Sequence, residues 1–308
     1  MQISDSIIRL AEQAETALAP HFARIDRIAF ANTAKVLDAF REHRVAANNF
    51  DSTSGYGYDD KGREVLDRIW ADVMGAEAAL VRQQIVSGTH ALTVGLFGLL
   101  RPGDVMLSVA GKPYDTLEEV IGITGTPGDG SLRDFGVGYD TVELTPEGSF
   151  DWAGIEAKMR QYAGHLKMVF VQRSKGYLNR RTLSVEEIGG LVAFVRAHSP
   201  DSFVVVDNCY GEFTEEREPC AVGADLVIGS LIKNPGGGIA RTGGYIAGIS
   251  GAIHTASRRE PRTNPFASHS ACSHGSSRAK AAASAALSVH PVPCEAAAAS
   301  GIRGELSW

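Results

Sequence analysis

The chain has 308 residues, enough for one large domain and a second. Hydrophobic residues make up 44% and charged residues 21%, the balance of a soluble globular protein, and a net charge of −6 leaves no basic field for nucleic acid or an anionic membrane. No apolar run reaches the ~18 residues that span a bilayer, and the opening Met1-Gln2-Ile3-Ser4-Asp5 has no secretory-signal pattern, so a cytoplasmic location is expected.

Residues 5–45 carry apolar positions at helical spacing (Ile7, Ile8, Leu10, Ala11, Ala14, then Val36, Leu37, Phe40), with a break expected at Pro20. Residues 50–62, rich in Gly, Ser and Asp, predict a loop. A helix over 63–74 follows, with Val65, Leu66, Ile69, Trp70 and Val73 on one face. From there apolar runs and helical stretches alternate. Residues 79–86 are apolar, Ser87-Gly88-Thr89-His90 is a turn, 91–100 a helix, 105–109 a strand and 112–122 a helix. Then come a strand at 168–172, a helix at 185–198, strands at 203–207 and 225–229, and a short one at 243–248. Strands separated by helices imply a mainly parallel sheet covered on both faces.

The composition shifts at about residue 249. Residues 249–308 contain no Asp, hold four of the nine histidines and are dominated by Ala and Ser, with no sustained apolar period. Two readings fit: a low-complexity tail, or an out-of-frame translation of a high-GC gene. The expected organisation is an N-terminal helical segment at 1–50, a cofactor-binding domain at 51–248 and an atypical segment at 249–308.

The chemistry is read from two strand ends. Lys233 follows the run Leu226-Val227-Ile228-Gly229 and precedes Gly236-Gly237-Gly238, where backbone approaches something closely. Asp207 closes the run Phe203-Val204-Val205-Val206 and lies 26 positions earlier. A lysine for a Schiff base and a carboxylate for the pyridine nitrogen are the two anchors that pyridoxal 5'-phosphate needs. The plain alternatives are a surface lysine and a helix-capping aspartate. Ser87, Gly88 and Thr89 open a helix, where free amides and hydroxyls cup a phosphate. Ser230 is a second phosphate candidate or a turn serine. Tyr114 is a ring-stacking candidate or a packed turn tyrosine. Asn208, Tyr210 and Glu212 share the loop after Asp207 without an assigned role. Gln172, Arg173 and Ser174 end a strand that could face the cofactor, His90 could bond or stack or be a satisfied structural histidine, and Lys175 ranks below Lys233 as the Schiff-base lysine. The four cysteines, Cys209, Cys220, Cys272 and Cys294, form no C-x-x-C or zinc spacing and are expected reduced.

The segments GYGYDDKGR (55–63), EAALVRQQIVSGTHAL (77–92), GKPYDTLEEVIG (111–122), VFVQRSKGY (169–177), VVVDNCYGEF (204–213) and GSLIKNPGGGIARTGGYIAG (229–248) occur in the order of one family. Over roughly 5–248 the chain resembles the methionine gamma-lyase or aluminium-resistance family, related to cystathionine beta-lyases, of the fold type I pyridoxal-phosphate enzymes. The resemblance implies a mainly parallel seven-stranded α/β sheet like that of aspartate aminotransferase, with the C-terminal small domain missing or replaced. It implies Lys233 and Tyr114 as catalytic residues. Ser87, Gly88, Thr89 and Ser230 would line the phosphate, Asp207 would face the pyridinium, and Tyr56 would reach a neighbouring subunit of a homodimer or homotetramer. The expected function is a carbon–sulfur lyase acting on a small amino-acid substrate. The alternatives are another type I reaction, such as aldol cleavage or transamination, or a truncated non-catalytic member.

Overall fold

A computed structural model describes residues 3–51 and 60–257. Its centre is one seven-stranded sheet: β1 (Ala78–Arg82), β2 (Val105–Ser108), β3 (Gly138–Thr141), β4 (Leu166–Gln172), β5 (Phe203–Asp207), β6 (Leu226–Ser230) and β7 (Gly244–Gly248). The spatial order is β1-β7-β6-β5-β4-β2-β3. The ladders among β2 to β6 are parallel, and β7 runs antiparallel to both β1 and β6. The central strands read as unbroken apolar runs because both of their faces are buried.

Successive residues of β5 show the two-sided burial. Val204 and Val206 join the apolar layer under α1 (Asp5–Glu42), α2 (Lys61–Met74), α5 (Trp152–Gln161) and α6 (Val185–His198). Val205 joins the opposite layer, under α3 (Gly88–Leu99), α4 (Asp115–Ile121) and α7 (Ser250–Ser257). The period-2 side-chain alternation of a strand thus builds a three-layer α/β/α domain.

Most predicted elements fall within a few residues of the observed ones, and α6 and β5 coincide with their predicted bounds. Pro20 does not break α1, which runs through it. Proline frees the carbonyl four residues earlier, that of Thr16, and both residues are exposed. Three elements were not predicted: β3, α5 and α7. The last lies beyond Gly248, where the composition changes, and buries Ala252, Ile253 and Ala256. It packs closely on α3 because Gly98 leaves room: a Cβ there would come within 2.9 Å of the Ala256 Cα.

Among the described residues, no helix is long and apolar enough to cross a membrane, and no group of His, Cys, Asp or Glu could hold a metal ion.

Candidate active site

The site lies at the carboxyl ends of the parallel strands, where open α/β sheets bind ligands. Asp207 ends β5 and is 4% exposed. Its Oδ1 accepts the amide of Cys209 at 3.0 Å, and among the described residues no basic side chain forms an ion pair with it. Burial pushes its carboxyl up, opposed by the Cys209 amide and thiol and by the charge of Lys233. A carboxylate buried without a close ion pair is costly. It suits a ligand that carries an N–H with positive character.

Lys233 stands three residues past the end of β6, just before a short 3-10 turn at Asn234–Gly236. It is half-buried, and its Nζ lies 4.2 Å from the centroid of the Tyr210 ring. Burial works against its ammonium, yet Cys209, Asp207 and Tyr210 face it and hold it above the ordinary lysine value. Cys209 is itself buried, and that burial pushes its thiol well up.

The phosphate-type end is built from α3. Ser87 caps the helix, its Oγ accepting the His90 amide at 3.1 Å. That leaves Gly88 and Thr89 in the first turn, whose amides have no intrahelical acceptor and point where an anion binds. Gly88 is required by contact. A Cβ there would sit 2.9 Å from the Cys209 Sγ and 3.3 Å from the Ser230 Cβ. The same close approach brings the α3 turn, Ser230 and the loop after Asp207 into one cradle. The Ser230 side chain is fully buried, and its Oγ accepts the Ile232 amide at 3.1 Å, shaping the turn toward Lys233.

Tyr114 precedes α4, and its amide donates to the Gln172 Oε1 at 2.7 Å, tying it to the end of β4. Thr116, two residues on, shares a 2.8 Å hydroxyl bond with Thr89, joining the tyrosine's helix to the α3 turn. The Tyr114 ring lies 5.6 Å from that of Tyr177 at an interplanar angle of 35°. A hydrogen bond to the Tyr177 hydroxyl holds the Tyr114 phenol up at about 12.

Seven of the eight expected site residues therefore gather at this end of the sheet: Ser87, Gly88, Thr89, Tyr114, Asp207, Ser230 and Lys233. Tyr56, with its neighbour Tyr58, lies outside the described residues. His90 takes its structural alternative, its Nδ1 accepting the Val86 amide at 3.3 Å. Lys175 is exposed.

Arg173 is taken up by the loop after β5 and the segment before α6. It is 1% exposed and donates to Leu183 O, Asn208 Oδ1, Gly211 O, Thr214 Oγ1 and Glu215 Oε1. Adjacent residues at a strand end face opposite sides, so Gln172 facing Tyr114 already places Arg173 behind the loop.

Cys209 and Asn234 were not singled out by sequence. Cys209 is signalled by its i+2 relation to Asp207. Asn234 has no signal beyond adjacency to Lys233; its Nδ2 donates to Tyr210 O at 3.0 Å and Glu212 O at 3.1 Å.

The chain is similar to known proteins. The sequence model of the methionine gamma-lyase family matches residues 7–276. The Bacillus subtilis protein YnbB, whose role is unassigned, is 49% identical over 251 residues, covering 82% of this chain and 59% of its own length. A solved carbon–sulfur lyase involved in aluminium resistance, from Clostridium novyi, is 42% identical with a TM-score of 0.84, covering 94% of this chain and 67% of that one. The pyridoxal-phosphate-dependent protein YhfS of Escherichia coli, at 17% identity, shares the fold alone, with a TM-score of 0.63 over 85% of this chain and 65% of its own. The chain thus spans less than two thirds of the length of YnbB. The fold is that of the type I pyridoxal-phosphate enzymes, and the chain belongs to the methionine gamma-lyase family.

Proposed function

We propose that this chain forms the cofactor-binding part of a pyridoxal-phosphate-dependent carbon–sulfur lyase. Its reaction would be elimination of a thiol from Cβ or Cγ of a sulfur amino acid, as in methionine gamma-lyases or cystathionine beta-lyases. The observation that carries this reading is Asp207, buried with no close ion pair among the described residues and with Lys233 as the one basic group acting on it, across the ends of β5 and β6. Pyridoxal phosphate, when bound, supplies an electron-withdrawing ring that stabilises the charge left when a substrate Cα proton is removed.

The residues divide the work. Asp207 would accept the pyridine N–H and keep that nitrogen protonated. Gly88 and Thr89 offer amides to the phosphate, with Ser87 and Ser230 shaping the cup. Tyr114 would pack its ring against the cofactor, with Gln172 fixing its backbone. Lys233 would hold the cofactor, and its Nζ is the group that would take the substrate Cα proton and keep it as an ammonium. Tyr56 belongs to the loop expected to reach a second subunit, which makes a homodimer or homotetramer the proposed assembly and the cytoplasm the proposed location.

The test is covalent trapping. The full chain is incubated with pyridoxal phosphate, reduced with borohydride, digested and analysed by mass spectrometry. The adduct is expected on the Lys233 peptide and is lost in Lys233→Ala. An adduct spread over several lysines and unchanged in that variant would remove Lys233 from the chemistry. Thiol release from methionine, cystathionine and other sulfur amino acids then separates β from γ elimination, and threonine tests aldol cleavage.

A further inference from the structure

Tyr210 occupies a position that the proposed chemistry does not yet explain. Its φ is +68°, a region that residues with a side chain rarely adopt. The residue is 58% exposed, so apolar burial does not account for its placement. Two neighbours hold it there. The Asn234 side chain donates to the carbonyls of Tyr210 and Glu212, at 3.0 and 3.1 Å. The Arg173 guanidinium fixes the carbonyl of Gly211 at 2.7 Å. Because Asn234 directly follows Lys233, one amide group ties the loop after β5 to the turn after β6. The outcome is the Lys233 Nζ over the Tyr210 ring, 4.2 Å from its centroid.

The geometry points to Tyr210 as a positioning residue for Lys233: its ring face seats the Nζ and favours the protonated amine. An ammonium over an aromatic face is attracted by the ring quadrupole, and a neutral amine is not. The other groups facing Lys233 are Asp207 at the end of β5 and Cys209 in the following loop. Asp207 favours the same charged form. Cys209 raises the amine as well, so the ring adds to these two groups rather than replacing them. The catalytic meaning rests on the reading of Lys233 as the cofactor lysine. A ring that steadies the ammonium stabilises Nζ after it has taken the Cα proton.

The test reads the amine without the cofactor. The full chain is treated with trace acetic anhydride across a pH series, and acetylation of Lys233 is measured by mass spectrometry against Lys112, an exposed lysine, as internal reference. Removing the ring in Tyr210→Leu is expected to lower the pH at which Lys233 becomes reactive, raising acetylation about two- to fivefold below the midpoint. Tyr210→Gly removes the ring at a φ that glycine adopts freely, so it separates loss of the ring from backbone strain. Tyr210→Phe keeps the ring and should titrate like the unaltered chain. Better access alone would raise the rate equally at every pH, the alkaline plateau included, and would overturn the proposal. An unchanged midpoint in the Leu and Gly variants overturns it too, as does a Phe variant that shifts with them. Failure of borohydride trapping at Lys233 together with a shifted acetylation profile would instead sink the cofactor reading and leave the ring's effect standing.

Discussion

Gly88 shows how closely one residue can bind sequence to site. Three groups meet over its Cα: the α3 turn, Cys209 after β5 and Ser230 at the end of β6. Gly88→Ala puts a methyl group 2.9 Å from a buried sulfur, and neither the loop nor the strand has a flexible end to yield. Overpacking of this kind costs about 1–3 kcal/mol. A lowered urea midpoint and weaker retention of pyridoxal phosphate are expected. Cys209→Ala in the same chain should restore most of the stability, because it removes the atom nearest the new methyl group. If the double variant is as unstable as the single one, the contact is not the cause.

At the scale of elements, the α6 N-terminus is the most completely written signal in the chain. Ser184 and Glu187 form a capping box: the Ser184 Oγ accepts the Glu187 amide at 3.2 Å, and the Glu187 carboxylate accepts the Ser184 amide at 2.9 Å. Arg181 also grips that carboxylate. The Arg181 guanidinium first, then the Ser184 amide and hydroxyl, hold Glu187 down to about 2 against the opposing effect of burial. A carboxylate depressed in the folded state stabilises fully above its unfolded value. That contribution is lost as pH falls from about 4.3 toward about 2. Glu187→Gln keeps the capping box but loses the Arg181 ion pair, and should cost about 0.2–1 kcal/mol at neutral pH. The difference from the unaltered chain should shrink through that acid window, as followed by circular dichroism in urea.

The elements that sequence did not reveal are those whose stability comes from neighbours. β3 reads Gly-Tyr-Asp-Thr, an edge strand with all four residues half-buried, so it shows neither an apolar run nor an alternation. Among the residues of α5 only Ile155 and Met159 are buried, too few to set a helical period. α7 packs through alanines and the Gly98 gap, which look like low complexity in a one-dimensional string. By contrast the strand-end lysine and aspartate, the Ser-Gly-Thr turn and Tyr114 were legible, because each sits where a strand pattern stops. Tyr210 and Asn234 were not, since their roles depend on a loop-to-loop tie that no local spacing encodes.

Across the whole molecule, the buried acids set a limit on alkaline stability. Glu212 is fully buried, and its Oε1 accepts the Tyr245 hydroxyl at 3.0 Å. Burial first, with the negative charges of Glu218 and Asp207 nearby, pushes its carboxyl up to about 8. The folded state therefore keeps a proton that the unfolded chain releases near about 4.3, and stability falls as pH rises from there toward about 8. Glu212→Gln should flatten that slope and gain most at the alkaline end, measured as urea midpoints from pH 5 to 9. A slope unchanged by the substitution would assign the effect to other groups.

Arg173 has a consequence of another kind. Its side chain reaches the 183 carbonyl ahead of α6, the side chain of Asn208, the carbonyl of Gly211 and the acid of Glu215, while Glu218 takes Asn208 and the Phe213 amide on the far side. A surface loop of this length ordinarily opens on its own, and its amides trade hydrogen for deuterium in local fluctuations. Here opening would strand a buried guanidinium and a buried carboxylate together, so the segment from 208 to 218 is bound to the fate of β5. Its Phe213 amide should exchange with the same free energy as the amides of the central strands, a single cooperative unit in which the loop beside Lys233 unfolds only when the sheet does.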